Sequence, residues 1–206
     1  MTSEDDTEPK DGYEREDWQG YYDQDDLRWD LGEVSPPLKR LWEEGTLKTG
    51  RMIIPGCGQG HEVIFFAQQG FDVTGVEYTE GGIKLLQENL GKSNLNAEVV
   101  HSDFFELDAS HHGRYDLMLE QTFFCAIHPR DRTRYVEMAL KVLKPGGLLA
   151  GLFYNTGEED GPPYNTTEED VRQNFSNGFD IVCLEKCDHS IERRENKELL
   201  AVLQKR

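Results

Sequence analysis

The chain has 206 residues, of which 36% are hydrophobic and 30% are charged, a composition typical of one globular domain rather than a fibrous or disordered chain. Forty acidic residues against 22 basic ones give a formal net charge of -18, which repels phosphate backbones and anionic lipid surfaces and disfavours nucleic acid as a partner. Because no apolar stretch approaches the roughly 20 residues that span a bilayer, no membrane segment is expected.

The acidic excess is concentrated at the N-terminus. The first 30 residues hold 12 Asp or Glu against 3 Lys or Arg, a net charge of -9. Such a run is typical of a solvated leader, and we predict a disordered acidic leader over residues 1–13, followed by one domain over residues 14–206. The N-terminus lacks the basic start and apolar core of a secretory signal, and the four cysteines lack a disulfide-framework spacing. We therefore expect a cytoplasmic protein.

From residue 51 onward, short apolar runs alternate with helical patterns, which is typical of a parallel sheet with crossover helices. Strands are predicted, in chain order, at residues 52–54, 71–77, 97–101, 115–120, 148–154, 179–185 and 198–203. Helices are predicted at residues 62–69, 82–90, 131–143 and 166–175, from apolar spacing, capping residues and terminal Gly or Pro. Because the last two strands are close in sequence, we expect them to form an antiparallel hairpin.

A glycine-rich loop with the sequence Pro-Gly-Cys-Gly-Gln-Gly follows the first predicted strand, at residues 55–60. Ligands of open parallel sheets bind beyond the carboxyl ends of the strands, and glycines there let a ligand approach the backbone. Glu77 ends the second predicted strand, and a carboxylate at that position can accept hydrogen bonds from both ribose hydroxyls of a nucleoside. The loop and Glu77 together predict a nucleoside-cofactor site.

Other cofactors fit the sequence less well. A dinucleotide loop has its third glycine at the sixth position, which is occupied by His61, and the loop lacks the Lys-Ser/Thr ending of an ATP site. Cys183, Cys187 and His189 form a cluster without a fourth ligand at a usual spacing, so no metal is expected.

Further segments carry a family resemblance. They are Trp29-Asp30-Leu31-Gly32, Ser35-Pro36, Gly75-Val76-Glu77, Asp103-Phe104, Phe123-Phe124-Cys125-Ala126-Ile127-His128-Pro129 with Arg132 and Tyr135, Leu143-Lys144-Pro145-Gly146-Gly147, and Gly161-Pro162-Pro163-Tyr164. Together with the glycine loop, they make residues 14–205 resemble the class I S-adenosylmethionine-dependent methyltransferases, and within them the thiopurine, thiol and halide methyltransferases. The implied fold is Rossmann-like α/β, with a seven-stranded, mostly parallel sheet and helices on both faces.

The resemblance implies S-adenosylmethionine as the cofactor, covered by a lid formed from residues 14–50. Gly56 is expected to line the methionine end, Glu77 to hold the ribose, and Asp103 with Phe104 to flank the adenine. The full set of expected cofactor contacts is Trp18, Tyr22, Trp29, Gly56, Cys57, Gly58, Gly60, Glu77, Tyr78, Asp103, Phe104, Glu120 and Gln121.

The sequence also suggests residues for the acceptor side of the site. The expected catalytic set is Glu120, Gln121, Phe124, His128 and Tyr164. A halide needs no base, whereas a thiol must lose a proton, and His128 is the candidate acceptor because it follows the fourth strand. The alternative interpretations are a cap of the helix that begins at Asp131 for His128, and a core aromatic for Phe124.

Several departures from the family pattern keep the substrate open. Glu120-Gln121 stands where close relatives carry Asp-Tyr, Tyr22 stands where relatives often have Trp, and the acidic run at residues 158–160 is expected to disfavour an anionic substrate at the site entrance. We predict a monomer that methylates a small thiol, bisulfide, halide or thiopurine. The alternatives are a small-molecule O- or N-methyltransferase and a non-catalytic cofactor-binding module.

Overall fold

The computed structural model describes residues 12–206. The predicted leader therefore lies outside the described residues, except for Gly12 and Tyr13. The strands are β1 (Arg51–Pro55), β2 (Asp72–Glu77), β3 (Glu98–His101), β4 (Tyr115–Gln121), β5 (Leu143–Tyr154), β6 (Phe179–Lys186) and β7 (Glu198–Lys205). The α-helices are α1 (Arg15–Asp23), α2 (Pro36–Glu43), α3 (His61–Gln68), α4 (Glu80–Ser93), α5 (Arg132–Val142) and α6 (Glu168–Phe175).

The strands form one seven-stranded sheet in the order β3-β2-β1-β4-β5-β7-β6. Strand β7 is antiparallel to both of its neighbours, and the other pairs are parallel. The predicted α/β class, the mostly parallel sheet and the C-terminal hairpin are confirmed. The chain order runs outward in both directions from β1, so the carboxyl ends of β1 and β4 flank the point where ligands bind in such sheets.

Each face of the sheet packs against its own layer of helices. Along β1, Met52 and Ile54 belong to the layer that includes α2, α3 and α4, whereas Ile53 belongs to the layer that includes α5 and α6. This alternation follows from the two-residue period of a strand. The fully buried side chains include Phe66 in the first layer and Tyr135 in the second, so the site at the strand ends is supported from both sides.

Two differences from the predicted elements concern the start of β5 and the two N-terminal helices. Strand β5 begins at Leu143, which pairs with Tyr115, and the pairing then shifts so that Leu148 pairs with Leu117. The Lys-Pro-Gly-Gly run at residues 144–147 is thus a bulge within a strand and not a loop before it. Helices α1 and α2 were not predicted as separate elements.

The N-terminal segment packs over the carboxyl ends of β1 and β2. The Gln19 side chain on α1 accepts a hydrogen bond of 3.0 Å from the Gly81 amide at the start of α4. Helix α2 has proline at its first positions, as helix N-termini favour, and it buries Leu38 and Leu41. Among residues 12–206, no helix is long and apolar enough to cross a membrane.

Candidate active site

A cavity of about 610 Å³ opens where the N-terminal segment meets the carboxyl ends of the strands. This volume falls within the range of about 300–1,000 Å³ that is typical of small-molecule sites. Its lining comes from α1, the glycine loop, the segments after β2, β3 and β4, the Pro162-Pro163 pair and the turn at residues 193–194. The sequence-predicted site and the cavity therefore coincide at the same edge of the sheet.

Two glycines of the loop are packed so tightly that a side chain would not fit at either position. A Cβ on Gly56, whose φ is +57°, would lie 2.4 Å from the Phe123 ring. A Cβ on Gly60, whose φ is +82°, would lie 2.1 Å from a methyl carbon of Leu86. Positive φ and close approach both favour glycine, so the loop brings its backbone to the cavity in one fixed shape.

Glu77 is fixed by hydrogen bonds at the end of β2. Its Oε1 accepts from the Tyr78 and Thr79 amides and from the Thr79 hydroxyl, at 2.7–2.9 Å. Its Oε2 accepts from the Gly58 amide at 3.1 Å. A carboxylate has about four lone-pair sites, so Oε2 keeps capacity for a ligand hydroxyl, and Glu77 also ties the glycine loop to β2.

Three further predicted contacts line the cavity beside Glu77. These are Tyr78, Asp103 and Phe104. Asp103 accepts a hydrogen bond of 2.9 Å from the Phe105 amide, which begins a short 3-10 turn and places Phe104 edge-on to Phe123, with ring centroids 5.9 Å apart. Burial raises the pKa of Tyr78 above its usual value, so its hydroxyl is a neutral hydrogen-bonding group.

Five aromatic side chains form a lid cluster, which we define as Tyr13, Trp18, Tyr21, Tyr22 and Trp29. All five line the cavity. The Trp18 and Tyr22 rings lie edge-on to Trp29, with centroids 5.5 and 5.7 Å away. The predicted Trp18, Tyr22 and Trp29 are thus together, and Tyr13 and Tyr21 are additional members that the sequence analysis missed.

The lid segment is held at two places beyond its aromatic contacts. Asp30 forms an ion pair of 2.8 Å with His61 and accepts from Gln59 at 3.0 Å, both at the glycine loop. The hydrogen bond that the His61 ring donates to Asp30 raises the pKa of His61. On the other side, Arg194 donates to the Trp29 carbonyl at 2.6 Å and pairs with the buried Glu198.

Cys57 and Gln121 lie beside the main cavity rather than on it. Both line a small neighbouring recess with Gly58. Burial raises the pKa of the Cys57 thiol, whose sulfur packs against Gly75 of β2. The Gln121 amide oxygen accepts a hydrogen bond from the Thr122 hydroxyl at 2.7 Å. Their expected cofactor contacts stay predictions.

Glu120, Phe124 and Tyr164 also lie outside the cavity lining, although the sequence analysis placed them in the acceptor site. Glu120 is fully buried beneath the turn that follows β4, and its carboxylate accepts from the Phe123 and Phe124 amides. Phe124 is 1% exposed and packs against core rings. Tyr164 is 9% exposed, and its amide donates to the Cys125 carbonyl at 2.7 Å. All three residues therefore make their contacts within the protein rather than with the cavity.

His128 lines the cavity, and its ring geometry also supports the cap interpretation. Its Nδ1 accepts a hydrogen bond of 3.2 Å from the Arg130 amide, at the start of the 3-10 turn that precedes α5. When Nδ1 accepts, the proton of a neutral imidazole lies on Nε2. His128 therefore presents a donor rather than a base from its other nitrogen.

The charge of the lining is the main feature that sequence reasoning missed. Six arginines line the cavity, namely Arg15, Arg28, Arg130, Arg134, Arg193 and Arg194. The acidic lining residues are Glu14, Glu77, Asp103 and Asp131. The acidic run at residues 158–160 is exposed and lies outside the lining. The lining itself holds six arginines against four acidic residues, and Arg28, Arg130, Arg134 and Arg194 are each paired with a carboxylate.

Comparisons with known proteins find a matching family and several relatives of this chain. The family model for thiopurine S-methyltransferase matches residues 13–205. Thiocyanate methyltransferase 1 of Arabidopsis thaliana is 33% identical over 190 residues, covering 89% of this chain and 82% of the relative. The thiopurine S-methyltransferase of Bos taurus is 30% identical over 169 residues, covering 72% of this chain and 69% of the relative.

A solved structure extends the fold comparison. The 1,6-didemethyltoxoflavin-N1-methyltransferase of Burkholderia thailandensis, solved with 1,6-didemethyltoxoflavin and S-adenosylhomocysteine, superimposes with a TM-score of 0.74. The match covers 93% of this chain and 86% of that one at 20% sequence identity. At this identity the likeness establishes the fold alone.

Proposed function

Because this chain belongs to the thiopurine S-methyltransferase family and is an S-adenosylmethionine-dependent methyltransferase of small molecules, we propose that its acceptor is a small, soft anion. The class comprises thiocyanate, bisulfide, halides and thiolates, including those of thiopurines. The observation that carries this proposal is the set of six arginines around the cavity of a chain whose net charge is -18.

The cavity fits the cofactor by its own chemistry. Gly56 would bring bare backbone to the methionine end, with Gly58 in the recess beside it, and Oε2 of Glu77 would accept from a ribose hydroxyl. Tyr78, Asp103 and Phe104 would flank the base, and the lid cluster would cover the cofactor. Bound there, S-adenosylmethionine supplies a methyl group on a sulfonium for in-line displacement. The chain's part is to hold the two reactants in line and to exclude water.

The acceptor end combines positive charge with an apolar wall. Phe123, Ile127, Pro162 and Pro163 line it and remove water from an anion that enters. The arginines attract that anion electrostatically and favour the ionised form of a thiol, whose unperturbed pKa is about 8.5. An anion that is already ionised needs no general base, so binding and alignment suffice.

The O- and N-acceptor alternative requires a base, and neither sequence-predicted candidate is placed to act as one. Glu120 is buried beneath the turn and fully hydrogen-bonded, and Nδ1 of His128 is occupied by the Arg130 amide. This geometry favours a nucleophile that does not need deprotonation by the protein. A cofactor-binding module without activity remains an outcome of the test below.

We also propose a cytoplasmic monomer. The four cysteines are free thiols, as is usual in a reducing compartment. Among the described residues, one large hydrophobic side chain is strongly exposed, that of Val182 on β6, at 62%. A single exposed apolar residue is not the contiguous patch of a permanent interface.

The direct test is an acceptor panel. The purified protein is incubated with S-adenosylmethionine and iodide, bromide, bisulfide, thiocyanate, a small alkyl thiol or a thiopurine, and S-adenosylhomocysteine is quantified above a no-acceptor blank. Turnover with soft anions supports the proposal. Cofactor binding without turnover of any acceptor in the panel contradicts it.

A further inference from the structure

Glu120 is a buried carboxylate surrounded by hydrogen-bond donors. Its Oε1 accepts from the Phe123 amide at 2.8 Å and from the Phe124 amide at 2.9 Å. Its Oε2 accepts from the Tyr135 hydroxyl of α5 at 2.5 Å. The side chain is fully buried. Two of its three partners are backbone amides, which can donate a hydrogen bond but cannot accept one. An ionised carboxylate is an acceptor only, so this arrangement matches the charged form.

The groups that face Glu120 stay neutral near physiological pH. Tyr135 comes from α5 and Cys125 from the turn, and burial raises the pKa of both, that of Cys125 to about 12. Strand β5 contributes Gly151, where a Cβ would lie 2.3 Å from the Cβ of Glu120. Within residues 12–206, no Lys, Arg or His forms an ion pair with Glu120. The charge is therefore stabilised by dipoles alone.

The turn that Glu120 holds forms one wall of the cavity. Thr122 has a φ of +60°, a strained conformation for a β-branched residue that persists only where the surroundings enforce it. The next residue, Phe123, places its ring against Gly56 of the glycine loop. The Phe123 carbonyl then accepts from the Ala126 and Ile127 amides, which closes the turn. All of residues 122–128 except Phe124 line the cavity.

We propose that Glu120 is a positioning residue whose ionised carboxylate holds the turn at residues 122–127 against the glycine loop, so that ligands bind tightly only when this group is deprotonated. The proposal rests on the proposed function for the identity of the ligands and gives Glu120 a role without contact to them. It replaces the base or cofactor contact that the sequence suggested for this position.

Protonation of Glu120 changes the strength and direction of these bonds. Hydrogen bonds to an ionised acceptor are roughly twice as strong as neutral ones. A proton on Oε1 would face two amides that can only donate, and a proton on Oε2 requires Tyr135 to turn its hydroxyl and accept it. Burial raises the pKa of Glu120 to about 7, so the exchange between the two forms falls within the physiological range. Ligand binding is then expected to strengthen as pH rises through neutrality.

The test measures the dissociation constant of S-adenosylhomocysteine by tryptophan fluorescence, from about pH 5.5 to about pH 8.5, for the wild type, Glu120→Gln and Tyr135→Phe. Glutamine retains an oxygen for the two amides and offers an NH₂ group to Tyr135, so the turn is kept without a titrating group. Glu62→Gln is the matched control, because Glu62 is also buried, with its pKa raised by burial, but it accepts from the Ser35 amide and not from the Phe123 and Phe124 amides of the turn.

The wild type is expected to bind about tenfold more tightly at about pH 8 than at about pH 6, with a midpoint near 7. Glu120→Gln is expected to bind with no such pH dependence. Tyr135→Phe removes a donor to the charged form and is expected to move the midpoint upward, whereas Glu62→Gln keeps the wild-type profile. A purely structural role changes affinity or thermal stability but leaves the midpoint in place.

A flat wild-type profile, an unchanged profile in Glu120→Gln or an unmoved midpoint in Tyr135→Phe would overturn the proposal. The wild-type arm decides even where a variant fails to fold. Because the binding assay contains no acceptor, it is independent of the substrate proposal. Turnover of thiocyanate, whose charge is constant over this range, is measured in parallel, and its absence alongside the predicted binding profile contradicts only the proposed acceptor.

Discussion

The two halves of the cavity are built by different means. The cofactor half uses a short contiguous loop, Gly56 to Gly60, and one carboxylate, Glu77, at the end of the neighbouring strand. The acceptor half uses a turn held from below by a buried carboxylate, and the arginines that line the cavity come from four separate segments. The first is specified by local sequence and backbone geometry, and the second exists only once distant parts of the chain are packed together.

This difference predicts how each half fails. A change in the cofactor half is expected to abolish binding, because the backbone there has no alternative shape. A change in the acceptor half is expected to alter selectivity or pH dependence while the cofactor still binds.

The largest expected effect is that of Gly56→Ala. The added Cβ would meet the Phe123 ring at 2.4 Å and would impose a positive φ on alanine, so the dissociation constant of S-adenosylhomocysteine is expected to rise by more than about 100-fold. Calorimetric titration measures this change. Gly70→Ala is the control, since Gly70 also has a positive φ but has nothing within 4 Å. Equal losses in both variants would contradict close packing as the cause.

The second effect concerns stability and pH. The folded-state pKa of Glu120, about 7, lies above its ordinary value near 4.5, so the folded protein retains a proton that the unfolded chain has lost. The free energy of unfolding is then expected to fall by about 3 kcal/mol as pH rises from about 4.5 to about 7, and to level off above that. Urea unfolding at several pH values measures it.

Glu120→Gln is expected to lack this component of the fall. A variant that follows the wild-type stability profile would assign the pH dependence to other groups. Together with the binding profile, this gives Glu120 opposite effects on stability and ligand affinity as it ionises.

The third prediction separates the two halves directly. Arg134 lines the cavity above the Phe105 ring, and its side chain is 57% exposed. Arg134→Gln is expected to raise KM for thiocyanate about three- to tenfold by removing a favourable charge, and to leave the affinity for S-adenosylhomocysteine unchanged. Arg172→Gln on α6, 51% exposed and outside the lining, is the matched control. Equal changes in both variants would attribute the effect to net charge alone.

The smallest effect is expected for His128→Ala. Thiocyanate turnover is expected to stay within about twofold of the wild type, since an ionised acceptor needs no base, while loss of the cap costs about 1 kcal/mol of stability. Initial rates and thermal unfolding check the two parts. A loss of turnover by more than about 100-fold would make His128 a catalytic acid or base.

The two halves of the cavity also differ in how much of them could be predicted from the sequence. All seven strands were placed from their short apolar runs, five of which follow a glycine closely, and Gly56 with Glu77 predicted the cofactor side. Helix α1 was not predicted, although its aromatic residues Trp18, Tyr21 and Tyr22 recur at the helical spacing of three and four. Its aromatic residues became recognisable as one cluster only through their packing against Trp29.

The acceptor side shows why the rest of the site could not be predicted from the sequence. Phe124 and Tyr164 belong to specific motifs, yet motif membership does not tell whether a ring faces a cavity or the core. Glu120 was singled out as a departure from the family, but its three donors come from the turn and from α5. The arginines are scattered from position 15 to position 194 and are surrounded by acidic residues in sequence, so their convergence had no local signal.

The most direct test of the central claim compares two soft nucleophiles that differ in charge. The ratio kcat/KM is measured for thiocyanate, an anion, and for dimethyl sulfide, a neutral thioether, under one set of conditions. The basic acceptor half predicts a preference for thiocyanate of more than about tenfold, which corresponds to about 1.4 kcal/mol of differential transition-state binding. Equal or higher kcat/KM for the neutral thioether would contradict selection of anions by the arginines.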